Sequence, residues 1–147
     1  FSLALRMIAK FVTLVDNASN LGRLDYSSLS QQTLIEMAFD KITKREALRG
    51  SKEYPSSLKD WPILKFDEED KVTEIYLQSS TNEAKHLRGS LAVEWLPSTV
   101  ESVFLVRHSL SGTLKLECLP ADLVEFVVSS NELSGSIILT NLPKELG

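Results

Sequence analysis

Residues 119–141 read LPADLVEFVVSSNELSGSIILTN, after which Leu142 and Pro143 begin the same phrase again. Apolar residues stand at 123, 126, 128, 133, 137, 139 and 142, with Asn131 and Gly135 set between them. A phrase that restarts after a fixed interval marks a repeat unit, whose apolar side chains are covered only by neighbouring copies. Twenty-three positions earlier the same phase is held by Val100, Val103, Leu105, Leu110, Gly112, Leu114, Leu116 and Leu119-Pro120. One copy further back, Leu87, Gly89, Leu91, Val93 and Leu96-Pro97 keep that period, whereas Val72, Ile75 and Leu77 lie 28 residues before their counterparts. The first copy therefore carries a five-residue insertion between Ser79 and His86.

The spelling L-x-x-L-x-L-x-x-N-x-L-x-G-x-I-x-L-x-x-L-P resembles the leucine-rich repeat, in the form whose second half reads L-S-G-x-I and which is best known from plant-type arrays. The resemblance implies an α/β repeat fold: a right-handed leucine-rich repeat solenoid with parallel strands on its concave face, preceded by an α-helical N-terminal cap. In that frame residues 1–71 are the cap and residues 72–147 the array, with turns at 72–95, 96–118 and 119–141 and a partial turn at 142–147. The alternating first half of each copy is a short strand with inward and outward residues. Gly89, Gly112 and Gly135 fall where the chain bends after it. Asn131 should turn inward to satisfy loop backbone groups, with His108 and Ser80 as its counterparts. Leu114, Leu116, Ile137 and Leu139 are expected to point inward from a second, smaller strand, and the segments at Pro97, Pro120 and Pro143 to form turns or short 3₁₀ pieces.

Ahead of the repeats, residues 3–15 place Arg6, Lys10 and Thr13 at helical spacing within an otherwise apolar circumference, which reads as a mostly buried helix. Residues 16–22 stop it with turn formers. A second helix is expected near Ser28, where Ser28 and Gln31 have capping-box spacing, with Leu34, Ile35, Ala38, Phe39 and Ile42 as its stripe. Lys41, Lys44, Arg45 and Arg49 precede Gly50 and complement the helix dipole. Residues 51–71 contain Pro55 and Pro62 and read as irregular, anchored by Trp61 and Phe66. The acidic run at 67–70 reads as a solvated turn, since it lacks the spaced ligands and glycine of a calcium loop. A helix, a tryptophan and an acidic turn in this order resemble the N-terminal caps of plant-type leucine-rich repeat proteins, but the usual cap cysteines are absent.

Charge bounds the function. Residues 1–70 hold 10 Lys/Arg against 11 Asp/Glu and residues 71–147 hold 6 against 9, so neither half suits a nucleic acid. Arg6 and Lys10 break the N-terminal apolar run well short of the ~18 residues of a membrane span. The single cysteine, Cys118, excludes an intrachain disulfide and favours a reducing, cytoplasmic compartment. Asn17-Ala18-Ser19 matches a glycosylation acceptor triplet, a pattern short enough to arise by chance. The absence of an initial Met and the phrase restarting at Leu142 read as a fragment, with further repeats or a C-terminal cap expected beyond residue 147.

Laying the copies in register puts Tyr76, Phe104 and Val127 in one outward column. Glu74, Ser102 and Glu125 flank it on one side, and Gln78, Val106 and Ser129 on the other. An apolar column with two aromatics at the centre of an exposed sheet suits a protein or peptide ligand, although bulky β-formers also stack across strands for stability alone. No phosphate loop, nucleophile elbow or dinucleotide motif is present. Cys118 is expected to be buried or half-buried and apart from His108, and His86 and His108 lack the companions of a metal site. The chain is thus expected to be a non-catalytic recognition scaffold without cofactors, its candidate binding residues being Tyr76, Phe104, Val127, Glu74, Gln78, Val106 and Glu125. The alternative is a structural or capping segment of a longer leucine-rich repeat receptor or adhesion protein whose active module lies elsewhere.

Overall fold

The structure, a computed structural model, describes residues 26–44, 48, 57–79 and 86–147. The expected helix at 3–15, the triplet at Asn17, Ser80, and the cations Arg45 and Arg49 lie outside them. Ser30, extended at φ −65° and ψ 149°, caps the first helix, α1 (Gln31–Ala38), its hydroxyl accepting from the Thr33 N–H at 3.1 Å. Ser28 instead belongs to a 3₁₀ turn, Tyr26–Ser28. Gln31 serves a different purpose from the expected capping box. Its Oε1 accepts from the Val72 N–H at 2.6 Å and its Nε2 donates to the Asp70 carbonyl at 3.1 Å, tying the helix to the start of a strand.

The helix stops before Ile42 because the chain there joins a sheet. Ile42–Thr43 form β1, which pairs antiparallel with β4 (Arg88–Gly89). Lys44 follows in the left-handed region at φ 60°. Leu64–Phe66 form β2, antiparallel to β3 (Val72–Gln78). The turn between them is held by Asp67, whose Oδ1 accepts from the Glu69 and Lys71 amides, both at 2.9 Å. Beyond β3 come β5 (Ser102–Val106), β6 (Ser109–Gly112), β7 (Glu125–Val127) and β8 (Glu132–Leu133). They build two four-stranded sheets, ordered β1-β4-β6-β8 and β2-β3-β5-β7. In each, the first pair is antiparallel and the next two are parallel.

This corrects the expected architecture. The described residues form an α/β fold of two small mixed sheets with one helix and no closed solenoid, in place of a right-handed leucine-rich repeat solenoid with an all-parallel concave face and a helical cap. Two features of the chain produce the difference. The N-terminal region supplies strands β1 and β2, which satisfy the backbone groups of β4 and β3 that a purely parallel array would leave at its edge. At the other side, the second small sheet ends at or before each glycine, at Ser109–Gly112 and Glu132–Leu133, and does not form after it. The residues after Gly135 pair with nothing in a sheet. Ile137 and Leu139, expected inside, are 70% and 68% exposed. Leu114 and Leu116 are only partly buried, and Leu116–Cys118 forms a 3₁₀ turn before Leu119-Pro120, as Val93–Trp95 does before Leu96-Pro97.

Inward residues of the parallel strands, Val72, Ile75, Val103 and Leu105, are fully buried, together with Val100, Leu123, Leu87 and Leu110. They form one cluster with Ile35, Ala38, Phe39 and Trp61 from the N-terminal region. Each such side chain contributes about 1.5–3 kcal/mol of transfer free energy. A regular series of backbone bonds runs along the start of the strands: Glu101 N–H to Thr73 carbonyl and Val124 N–H to Glu101 carbonyl, both 2.8 Å, then Gly147 N–H to Val124 carbonyl, 3.0 Å.

Two polar side chains bridge successive copies inside this frame. Asn131 Oδ1 accepts from the Leu110 N–H at 3.1 Å, while its Nδ2 donates to the Leu105 and Val128 carbonyls at 2.7 and 2.8 Å. His108, one period earlier, does the same with an imidazole: Nδ1 accepts from the Leu87 N–H at 3.3 Å and Nε2 contacts the Leu77 carbonyl at 3.1 Å. With an N–H facing one ring nitrogen and a carbonyl facing the other, the proton belongs on Nε2.

Candidate protein-interaction surface

The outward face of the β2-β3-β5-β7 sheet is built by strand alternation. While Ile75, Val103 and Leu105 point into the core, their neighbours Tyr76, Ser102, Phe104 and Val106 stand on the other side. The parallel register sets Tyr76 beside Phe104 and Phe104 beside Val127. Glu74 faces Ser102, Ser102 faces Glu125, and Gln78 faces Val106. All seven candidate residues therefore lie on one sheet and in adjacent rows. Tyr76 is 47% exposed, Phe104, Val106 and Val127 are half-buried, and Gln78 and Glu125 are exposed.

The aromatic pair is ordered by contact. The Tyr76 and Phe104 rings have centroids 5.8 Å apart and planes inclined at 51°, an arrangement favoured by aromatic quadrupoles. The Tyr76 hydroxyl donates to Gln78 Oε1 at 3.0 Å, which fixes the outer end of the ring. At one margin, Lys65 Nζ meets Glu74 Oε2 at 2.5 Å, so that carboxylate is already paired. Lys65 was not expected here, because residues 51–71 read as irregular. A strand of three residues, Leu64–Phe66, carries too short an alternation to be read from sequence.

The other candidate chemistry includes a pair of histidines in contact. His86 Nε2 lies 2.8 Å from Ser79 Oγ, and its ring stands edge-on to His108 with centroids 5.9 Å apart. His108 is only 5% exposed. Burial holds its pKa below the usual histidine value, His86 adding to that effect and the Leu77 carbonyl opposing it. Both of its ring nitrogens are engaged by backbone groups, so it has no lone pair to offer a metal or a proton relay. Among the described residues no group of three or more His, Cys, Asp or Glu could hold a metal ion.

Cys118 departs from expectation: it is exposed, not buried. It follows Glu117 at the end of the 3₁₀ turn Leu116–Cys118. It lines a cleft of about 550 Å³ with Tyr26, Leu34, Leu96, Pro97 and Glu94. The Tyr26 ring packs against Trp95, with centroids 4.9 Å apart and planes inclined at 49°. Burial alone would raise the Glu94 carboxyl, but the Lys115 ammonium at 2.8 Å outweighs it and the pKa falls below its ordinary value.

No family model matches this chain, and no curated protein matches it either. Among the described residues no helix is long and apolar enough to cross a membrane.

Proposed function

We propose that the chain is a non-catalytic recognition scaffold that binds a protein or peptide on the exposed face of the β2-β3-β5-β7 sheet. The observation that carries this reading is the row of Tyr76, Phe104 and Val127, an apolar strip with an exposed aromatic end framed by polar residues. Interfaces favour that composition, aromatic at the centre and polar at the rim. The resemblance of the sequence to leucine-rich repeat proteins supports the same class of function. The engagement of both His108 ring nitrogens by backbone groups supports a non-catalytic role. Neither the charge balance nor the surface of this sheet favours a nucleic acid.

The test replaces Tyr76 and Phe104 by Ser together and measures capture of binding partners by the intact protein. Both side chains stand on the outer face, so the fold should persist by circular dichroism while capture is lost. Capture that survives in a folded double variant refutes the reading.

A further inference from the structure

We infer that this sheet face takes an extended peptide in which a lysine or arginine stands two residues from a large apolar side chain, the apolar group seated over Val127 beside Phe104 and the cation on Glu125. The inference rests on the reading of the face as a binding surface and adds the chemistry of the occupant.

The row steps down in height as it crosses the sheet. Tyr76 and Phe104 are large and in ring contact, and the third member, Val127, is several heavy atoms smaller. A side chain laid over Val127 would meet the flank of Phe104 on one side. Glu125 precedes Val127 by two residues on the same strand and the same face, roughly 6.6 Å away. An extended peptide laid along β7 would repeat that spacing between its own alternate side chains.

Charge then selects the sign. Glu74 is neutralised by Lys65, but Glu125 is exposed and has no ion pair among the described residues. A peptide with its cation on Glu125 pairs that carboxylate, whereas one with an acidic group there is repelled. The chain's formal charge of −4 biases encounter in the same direction.

The experiment pans a displayed random heptapeptide library against the full chain at low ionic strength. Selected peptides should carry Lys or Arg next-but-one to an aromatic or large aliphatic residue. Their affinity should fall about fivefold or more in Glu125→Lys, fall less in Glu125→Gln, and weaken with added salt. Exchanging the peptide's basic residue for Glu should restore binding to Glu125→Lys. Circular dichroism and thermal melting verify that each variant is folded. Peptides that lose binding in Tyr76→Ser/Phe104→Ser, yet show no basic preference and ignore Glu125→Lys, overturn this inference and leave the surface reading standing. Selected peptides indifferent to both sets of changes, or a library that yields no binder, overturn both.

Discussion

Replacing Asn131 by Ala should be among the most damaging changes at any partly exposed position of this chain. The side chain supplies the acceptor for the Leu110 N–H and the donor for the Leu105 carbonyl, and those two residues are 1% and 0% exposed. Both backbone groups would be left unpaired where water reaches poorly, at about 1–3 kcal/mol each, giving about 2–6 kcal/mol together. The Val128 and Ser129 carbonyls, on the more open turn, can exchange Asn131 for water at little cost. In urea unfolding the midpoint should fall with an unchanged slope, and the melting temperature should drop by roughly 5–15 °C. Asn131→His is the informative partner, because His108 makes the equivalent pair of bonds one period earlier with Nδ1 and Nε2. It should recover at least half of the loss. A destabilisation below about 0.5 kcal/mol for the alanine variant would refute the reasoning, since backbone groups of that burial cannot lose both partners for so little.

His108 gives a pH prediction. Its folded pKa is lowered below the usual ~6.5, so the unfolded chain binds the proton first; stability is full above about pH 6.5 and is lost as pH falls from there through the folded value. His108→Asn, which can make both bridges, should flatten that limb of the stability curve, and an unaltered slope counts against the assignment. Gly89→Ala should cost more than about 2 kcal/mol, because the added Cβ would overlap the Lys41 carbonyl oxygen in a backbone held at φ 108°. Gly112→Ala, whose nearest obstacle is the Ser90 Cβ at 3.3 Å, should cost about half as much, and equal costs would show that steric overlap does not set the ranking. Ile137→Ser should change stability by less than about 0.5 kcal/mol given its 70% exposure, against about 2–5 kcal/mol for Leu105→Ala in the closed core; a large effect at Ile137 would contradict its placement.

What the sequence made legible was whatever repeats. The 23-residue phase and the five-residue insertion place Ile75, Val103 and Phe126 opposite one another, and the parallel register agrees residue for residue. The outward rows followed from that, because a strand's alternation is fixed once its register is known. The edges were not legible. Ile42 fits a helical stripe as well as a strand, and only the backbone of Arg88 and Gly89 across from it decides the matter. Strands of two or three residues such as β1 and β2 carry too little periodicity to announce themselves. Ile137 and Leu139 continue the apolar alternation of the copies before them, yet alternation does not say whether a neighbour exists to cover them. Cys118 has the same lesson on a smaller scale: a side chain that suits an interior stays outside when the 3₁₀ turn beneath it aims outward. At the candidate surface, the two acidic residues flanking the central row were placed by register, but the cancellation of Glu74 by Lys65 depended on a strand the sequence did not show.

The bridges made by His108 and Asn131 point one way along the chain, and that gives the molecule an order of opening. Each closes polar groups that belong to the copy before it, so a copy is complete only while its successor is in place. If the segment around Asn131 swings away, the Leu105 carbonyl and the Leu110 amide are bared to solvent, while the Leu77 carbonyl and Leu87 amide stay sealed behind His108. The reverse sequence is blocked, because His108 sits beneath what Asn131 holds. Loss of the segment around Asn131 should therefore bare Leu110 while Leu87 stays covered, and amide exchange would record Leu110 exchanging before Leu87.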